Sequence, residues 1–290
     1  MDISPICDEA PLLDCADESV IIGDMADFPI FDYPKKEIVR AGKALSGSMP
    51  WDPDKIEEYL HIFRIAYAWR NSHAFPMRKI RYELGGKIRR RGNGITAGRI
   101  KRMRSIRLKL SRSTNTLRQM QDLGGCRAIM DSMDDVISIA ESYKMGDTAH
   151  KIIREDDYVA NPKLGGYRSH HFVLSFNPAH GVDRGFEGHR IEVQIRTRLQ
   201  HVWATAVESI GLIRGEDLKA GDGDPGWLYL FALMSSEFAE AERCPICPDT
   251  PDDRALRLGI IRELNRKLDA VNTLIKTNGA FQVAESYIYI

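Results

Sequence analysis

Apolar and polar residues alternate without a break from Arg190 to Arg196, and this segment constrains the fold more than any other. In an extended strand, alternate side chains point to opposite faces of the sheet. One face carries Ile191, Val193 and Ile195. The other face carries Arg190, Glu192, Gln194 and Arg196. The apolar face predicts packing on a core, while the polar face either meets solvent, as in many antiparallel sheets, or lines a site.

Helical and strand patterns are mixed along the rest of the chain. Asp52 and Pro53 are typical of a helix N-terminus. Apolar spacing predicts helices over 53–71, 134–143, 198–214, 226–242 and 252–277, and a largely helical stretch over 77–110 around a glycine-containing loop at 91–94. Strands are predicted at 126–130, 150–155, 168–176 and 188–197. The class is therefore mixed α and β.

Charge is distributed unevenly, although 41 basic and 41 acidic residues cancel. Residues 1–34 contain nine acids and no base, and we expect an acidic tail without fixed structure over residues 1–45. Between Arg64 and Arg118 there are 17 Lys or Arg residues and a single acid, Glu83. A solvated basic helix face would usually mix both signs, so this density favours a polyanionic ligand.

The composition excludes fibrous, wholly disordered and membrane-spanning classes. The chain is 43% hydrophobic and 28% charged, which is typical of a globular protein. Its longest apolar run, over 227–234, is far shorter than the roughly 20 residues that span a bilayer. Five sparse cysteines fit a reducing compartment better than a disulfide framework, so we expect a cytoplasmic protein.

Four short motifs carry the chemistry. They are Asp122-Leu123-Gly124-Gly125-Cys126-Arg127, Gly166-Tyr167-Arg168-Ser169-His170-His171, Glu192-Val193-Gln194-Ile195-Arg196-Thr197 and Gln200-His201-Val202-Trp203-Ala204. In this order they resemble the synthetase domain of the RelA/SpoT alarmone enzymes, over about residues 64–214. The resemblance implies an α+β fold similar to nucleotidyltransferases: a mixed, mostly antiparallel β-sheet flanked by helices, with additional C-terminal helices.

The resemblance also implies the activity of a GTP pyrophosphokinase of the stringent response. Such enzymes transfer the β,γ-pyrophosphate of ATP to the ribose 3′-hydroxyl of GDP or GTP, a reaction that needs charge neutralisation and in-line positioning. Asp122 and Glu192 match the acidic positions and would be catalytic and bind Mg²⁺, which takes one or two carboxylates besides phosphate and water. Activation of the 3′-hydroxyl is an alternative role for Glu192.

The same resemblance implies two binding sets. The ATP-binding residues would be Arg99, Lys101, Ser105, Arg107, Lys109 and Arg127. Within that set, the guanidinium planes of Arg99 and Arg127 would stack on adenine. The acceptor-binding residues would be Lys163, Tyr167, Arg168, His171, Gln194 and Arg196. Tyr167 would stack on the acceptor base, and the others would line its phosphates and sugar.

Several of these positions also have structural explanations. Taken alone, Tyr167 is typical of a half-buried sheet residue and Asp122 of a turn carboxylate. We expect His170 to be structural, and His201 and Trp203 to be packing residues. Residues 244–247, Cys-Pro-Ile-Cys, have no further Cys or His after them to complete a local zinc site, and a loop is predicted there.

We predict three regions: the acidic tail at 1–45, a synthetase domain at 46–220 and a helical extension packed on it at 221–290. The chain has no His-Asp dipeptide, the metal motif of the hydrolase domain in bifunctional relatives, so a stand-alone synthetase is expected. Apolar helix faces after residue 226 are compatible with a homo-oligomer.

Two other functions stay open. One is a toxic relative that pyrophosphorylates the tRNA 3′ end or adenine nucleotides, because the basic block suits tRNA as well as two nucleotides. The other is an inactive nucleotide or RNA sensor, against which the retained Asp122 and Glu192 argue.

Overall fold

A five-stranded sheet forms the centre of the computed structural model, which describes residues 28–179 and 181–276. Its strands are β1 (Gly94–Ile100), β2 (Gly124–Met130), β3 (Lys151–Asp157), β4 (His170–Ser175) and β5 (Arg190–Thr197). Their order is β1-β2-β5-β4-β3, with β2 and β5 parallel and the other neighbouring pairs antiparallel. The predicted α+β class with a mixed, mostly antiparallel sheet is confirmed.

Helices flank this sheet, and all of them except α1 lie at predicted places. They are α1 (Lys35–Ser46), α2 (Ile56–Asn71), α3 (Ala74–Arg91), α4 (Met103–Arg112), α5 (Met133–Lys144), α6 (Arg198–Arg214), α7 (Pro225–Ala241) and α8 (Arg254–Leu268). Local signals account for their starts. Thr197 and Gln200 form a reciprocal capping box at α6, and Asp224 accepts from the Trp227 amide ahead of Pro225 at α7.

The apolar face of the sheet is covered by α3 and α5. Ile191, Val193 and Ile195 are fully buried there against Leu84 of α3 and Ile139 of α5. Each fully buried side chain of this size contributes about 1.5–3 kcal/mol to folding. Because the apolar set of β5 is fixed on this side, its polar set must project from the opposite face.

One predicted element is wrong. Residues 94–100 form the edge strand β1, where the sequence had indicated a loop followed by helix. Gly98 explains the strand's close approach to α3, since a Cβ at that position would lie 3.1 Å from Cδ of Arg81. Gly92, with φ of 108°, ends α3 in a conformation that favours glycine.

The predicted acidic tail of residues 1–45 is too long. Residues 35–46 form α1, and its Ile38 and Leu45 are buried in a cluster with Met103 and Ile106 of α4. An amphipathic helix with such a face is stabilised by tertiary packing despite the acidic segment before it. Residues 1–27 of the predicted tail lie outside the described residues.

The helices that follow the sheet share a second core. Trp203 of α6 donates to the Phe231 carbonyl of α7 at 2.8 Å, and Trp227 packs on Phe231. The additional C-terminal helices are therefore confirmed, while the domain boundary at 220 stays a prediction. No helix of the described part of the chain is both long and apolar enough to cross a membrane.

Two buried histidines hold α2, α3 and the start of β5 together. The His189 ring lies 4.6 Å from that of His73 and shares a hydrogen bond of 2.8 Å with the Ser72 hydroxyl. Burial lowers the pKa of His73 to about 3 and that of His189 to about 4. Both rings are therefore neutral in the folded protein at pH 5–7.

These pKa values predict acid sensitivity of the fold. Unfolded histidines titrate near pH 6.5, so below that pH the unfolded state binds more protons and stability falls. From pH 7 to 5.5, two such histidines cost about 2.5 kcal/mol by linkage. Urea unfolding at several pH values should show this loss. In a His73→Gln variant, the fall in unfolding free energy between pH 7 and 5.5 should be about half as large as in wild type. The same fall in the variant as in wild type would contradict the assignment.

Candidate functional site

The polar face of the sheet carries a row of functional side chains that the strand register brings together. Arg127 of β2 lies opposite Gln194 of β5, which lies opposite His171 of β4. Two residues earlier in both strands, Gly125 of β2 pairs with Glu192 of β5. A single cavity on this face is lined by six of the predicted residues: Arg99, Lys101, Asp122, Arg127, Glu192 and Gln194.

Asp122 stands just before β2 at the edge of this cavity. Its Oδ2 accepts from Nζ of Lys109 at 2.7 Å and from Nζ of Lys101 at 3.2 Å. Its Oδ1 is buried and has no hydrogen-bond partner among the described residues. A buried carboxylate oxygen without a partner is costly, so Asp122 has one oxygen free for a further cation or donor.

Glu192 is held as a carboxylate by its neighbours. His171 Nδ1 lies 3.2 Å from its Oε1, and Gln194 donates to its Oε2 at 2.8 Å. Burial opposes ionisation, but these bonds, the charge of His171 and that of Lys109 lower the pKa of Glu192 to about 2. A carboxylate only accepts, so Nδ1 of His171 must donate to it.

His171 connects this carboxylate to Tyr167. Its Nε2 and the Tyr167 hydroxyl share a hydrogen bond of 2.8 Å. Burial and the nearby Glu192 charge raise the pKa of Tyr167 to about 12. A chain of hydrogen bonds thus runs from Tyr167 through His171 to Glu192, three residues at which the sequence predicts acceptor binding or catalysis.

Three guanidinium groups stand close together on the same face. Burial and then the charge of Arg99 lower the pKa of Arg127, and burial and then the charge of Arg127 lower that of Arg196 to about 10. Arg196 is 1% exposed, and its Nε and Nη1 have no partner among the described residues, while Nη2 lies 2.5 Å from Nδ1 of His201. Such a group of unpaired cations is suited to an anion.

The ring of Tyr167 is covered by ammonium groups in this structure. Its side chain is buried, and Nζ of Lys219 and of Lys163 lie 5.3 and 5.5 Å from the ring centroid. Edge-on contacts with His171 and Trp203 fix the ring's orientation. Stacking of a base on Tyr167 therefore requires the ammonium groups to move aside, and that role stays a prediction.

Two predicted binding residues point elsewhere. Arg168 is 2% exposed and donates to the Ser235 hydroxyl, the Val159 carbonyl and the Cys247 sulfur, so it joins β4 to the α7 region and does not line the acceptor site. Arg107 lines a groove beside Leu45 of α1 and Phe63 of α2. Ser105 and Lys109 lie one helical turn apart, and Arg107 between them faces away.

The residues for which a structural role was expected have different outcomes. His170 stacks on Phe172 and bonds Glu155, and Trp203 is buried, as expected of structural residues. His201 differs from its expected packing role because it contacts Arg196 on the site face. Residues 244–247 form a loop between α7 and α8, as predicted. Within the described ranges, no group of three His, Cys, Asp or Glu residues is placed to hold a metal.

Sequence reasoning missed three charged residues around the site: Arg112, Glu208 and Lys219. Arg112 of α4 donates to Asp217 at 2.6 Å, and Lys219 forms an ion pair with Glu208 of α6. Helical spacing could have found Glu208, because it lies seven residues after His201 on the same side of α6. Lys219 had no local signal, since only the tertiary fold brings its loop to Tyr167.

Comparison with known proteins agrees with this geometry. Residues 98–210 match the model of the region found in RelA / SpoT proteins. The resemblance drawn from the motifs is therefore confirmed for this segment, which contains the end of β1, all of β2 to β5 and most of α6. It ends before the loop that carries Lys219.

Relatives named as GTP pyrophosphokinases are similar to part of this chain. The chain is 34% identical over 116 residues to GTP pyrophosphokinase YjbM and 30% identical over 121 residues to GTP pyrophosphokinase YwaC, both from Bacillus subtilis. These alignments cover 39% and 40% of this chain and 54% and 56% of the relatives, so the chain spans about half the length of either.

Solved structures share the fold. Small alarmone synthetase 1 from Bacillus subtilis, bound to its product pppGpp, superposes with a TM-score of 0.51 at 22% identity, over 62% of this chain and 92% of that one. Small alarmone synthetase 2 from the same organism gives 0.51 at 20% identity, over 62% and 94%. The fold around the sheet is thus that of small alarmone synthetases.

The burial of Arg168 predicts a structural effect. Arg168→Met removes donors to Ser235 and Val159, and we expect the free energy of unfolding to fall by about 2–4 kcal/mol. Guanidinium denaturation measures this change. The matched variant Arg262→Met, at an exposed position on α8, should change it by less than about 0.5 kcal/mol. Unchanged stability of Arg168→Met would contradict the assignment.

Proposed function

We propose that this protein is a (p)ppGpp synthetase, which transfers the β,γ-pyrophosphate of ATP to the 3′-hydroxyl of GDP or GTP. The observation that carries the proposal is the juxtaposition of an ionised Glu192, an Asp122 with one unpaired oxygen, and guanidinium groups around one cavity. The match of residues 98–210 to the RelA/SpoT region and the GTP pyrophosphokinase relatives support it.

The donor side of the site is suited to a polyphosphate. Lys101 and Lys109 meet at Asp122, and their ammonium groups can follow a phosphate chain laid along the cavity. Arg99 and Arg127 project from neighbouring strands, where their planes can hold adenine between them. Phosphoryl transfer depends mainly on such positioning and neutralisation.

Asp122 is the residue we propose to hold Mg²⁺. Its buried, unpartnered Oδ1 fits a hard cation that takes one or two carboxylates and otherwise phosphate oxygens and water. When bound, the ion would neutralise charge on the phosphates. Both oxygens of Glu192 are already engaged by His171 and Gln194, so Glu192 is the weaker candidate ligand in this arrangement.

Glu192 is better suited to orienting the acceptor hydroxyl. A pKa of about 2 keeps it ionised but makes it a weak base. It can accept a hydrogen bond from the 3′-hydroxyl and hold it in line with the β-phosphorus, while His171 keeps the carboxylate in place. A cytoplasmic location and a homo-oligomer stay predictions.

The proposal is tested by transfer of label from γ-labelled ATP, with Mg²⁺, to GDP, GTP, ADP, AMP and deacylated tRNA offered separately. We expect label on the guanine nucleotides. Glu192→Gln should lower kcat by at least about 100-fold, because the neutral amide no longer matches its donor partners. Glu141→Gln, on the far side of the sheet in α5, is the control and should keep full activity.

Other outcomes identify other functions. Label on tRNA alone would indicate a toxic relative, and label on ADP or AMP would indicate an adenine alarmone synthetase. Binding of nucleotide without transfer to any acceptor would favour an inactive sensor. Full activity of Glu192→Gln would remove Glu192 from the reaction.

The metal assignment makes a separate prediction. Asp122→Asn should raise the Mg²⁺ concentration needed for half-maximal activity by about 10-fold or more, since it removes the ligand charge. Titration of activity with Mg²⁺ at fixed ATP measures this shift. An unchanged Mg²⁺ dependence in a variant with reduced kcat would place Asp122 outside the metal site.

A further inference from the structure

A short loop beyond the matched region lies at the acceptor end of the site. We call residues 215–223, between α6 and α7, the strap. It is built as a compact turn: the Glu216 amide donates to the Gly211 carbonyl at 2.8 Å, and the Asp222 amide to the Asp217 carbonyl at 3.1 Å. Leu218 is buried in the second core, so the strap is anchored to α6 and α7.

Two ion pairs join the strap to both halves of the site. Arg112, at the end of the helix that carries Lys109, donates to Asp217 at 2.6 Å. Lys219 pairs with Glu208 of α6. Neither pair is buried: the side chains of Arg112 and Asp217 are 49% and 38% exposed, and those of Glu208 and Lys219 are 46% and 34% exposed. A ligand can therefore reach the carboxylate of Glu208.

The ammonium of Lys219 occupies a position that suits a base. It lies 5.3 Å from the centroid of the Tyr167 ring while it donates to Oε1 of Glu208. Stacked aromatic rings have centroids about 4.5–7 Å apart. A purine stacked on Tyr167 in place of this ammonium would therefore have its edge beside the carboxylate of Glu208.

The electrostatics at Glu208 favour hydrogen-bond donors. Burial alone would raise the pKa of Glu208, but the charge and hydrogen bond of Lys219 and the charges of Arg99 and Arg127 lower it. The carboxylate is therefore ionised and accepts only. In this structure it accepts from Lys219, and a replacement for the ammonium must also present donors.

Purine bases differ in this respect. Guanine presents two adjacent donors, N1–H and the 2-amino group, which a carboxylate can accept in bidentate fashion. Adenine presents a lone pair at N1, which would face the negative oxygen. Hypoxanthine keeps N1–H but lacks the 2-amino group. A site built to accept from a donor rejects the analogue that lacks it, because a polar group is then left unpaired.

We propose that Glu208 reads the acceptor base, by accepting from N1–H and the 2-amino group of a guanine that takes the place of the Lys219 ammonium against Tyr167. The inference rests on the proposed function, since it concerns the acceptor of that reaction. It assigns acceptor choice to α6 and the strap, and leaves donor chemistry to the sheet and α4.

The test compares acceptors that differ by single groups. Wild type, Glu208→Gln, Lys219→Met and the control Glu141→Gln are assayed with GDP, IDP and ADP at saturating ATP and Mg²⁺, and kcat/KM is measured. Wild type should prefer GDP to IDP by about 10- to 100-fold, the worth of one hydrogen bond to a charged group. Glu208→Gln should bring that ratio to within about 3-fold, mainly by losing activity with GDP.

Lys219→Met separates the carboxylate from the ammonium. It removes the ion pair but leaves Glu208 in place, so the GDP to IDP ratio should stay as in wild type. Collapse of the ratio in Lys219→Met, with Glu208→Gln unchanged, would assign base reading to the lysine and overturn the inference. Glu141→Gln should behave as wild type with all three acceptors.

Binding without ATP distinguishes failure of the inference from failure of the proposed function. Calorimetric titration of each variant with GDP and with IDP measures base recognition even if no transfer occurs. Equal affinity of wild type for both would overturn the inference. If wild type transfers to no acceptor yet binds GDP more tightly through Glu208, the proposed function fails, while the recognition of guanine by Glu208 stands. If transfer occurs and Glu208→Gln keeps the ratio, only the inference fails.

Discussion

The parallel pairing of β2 with β5 is the constraint on which the rest of the site depends. Parallel strands begin at the same edge of a sheet, so the loop that carries Asp122 and the start of β5 meet there. The register sets Gly125 opposite Glu192 and Arg127 opposite Gln194. Acids and cations are thereby interleaved at one end of the sheet, where an isolated strand would leave each of them in solvent. The apolar side of β5, sealed by α3 and α5, prevents a slip of one residue, because a slip would exchange the two faces.

Charge balance is the second organising feature. Lys101 and Lys109 neutralise Asp122, Lys219 neutralises Glu208, and Arg112 neutralises Asp217. Arg196 has no such carboxylate partner within the described residues. A nucleotide entering this face would exchange several weak, partly exposed ion pairs for contacts with phosphate and base, and such exposed pairs cost little to break.

Much of this could be predicted from the sequence where a period extends over several residues. The bounds of α6 were predicted to the residue, and the polar face of β5 followed from its alternation. Prediction failed where no period exists. Arg168 lies between Gly166, with φ of 91°, and the start of β4, so strand alternation does not apply to it. Gly166 itself is needed for packing, since a Cβ there would lie 2.8 Å from Cβ of Ser235 in α7.

A different physical limit applies to β1, α1 and the strap. The glycines around β1 weaken its strand pattern, and its partner β2 lies some 30 residues along the chain. Helix α1 is formed because α2 and α4 cover its apolar side. Lys219 reaches Tyr167 from a loop that is far from it in sequence. Contacts of this kind exist only once the chain has folded, so no local pattern encodes them.

Helix α6 contributes residues to two different parts of the molecule from its two sides. Trp203 and Val207 turn into the second core, while His201 and Glu208 turn toward the site. The part of the chain recognisable as the RelA/SpoT region stops at residue 210, a few positions before the strap. Under the proposed function, a change of acceptor would need substitutions only in one helix turn and one nine-residue loop, and the strands that carry Arg127 and Glu192 would stay as they are. The residues proposed to set the choice of acceptor are thus separate in the fold from the strand residues proposed to carry the transfer.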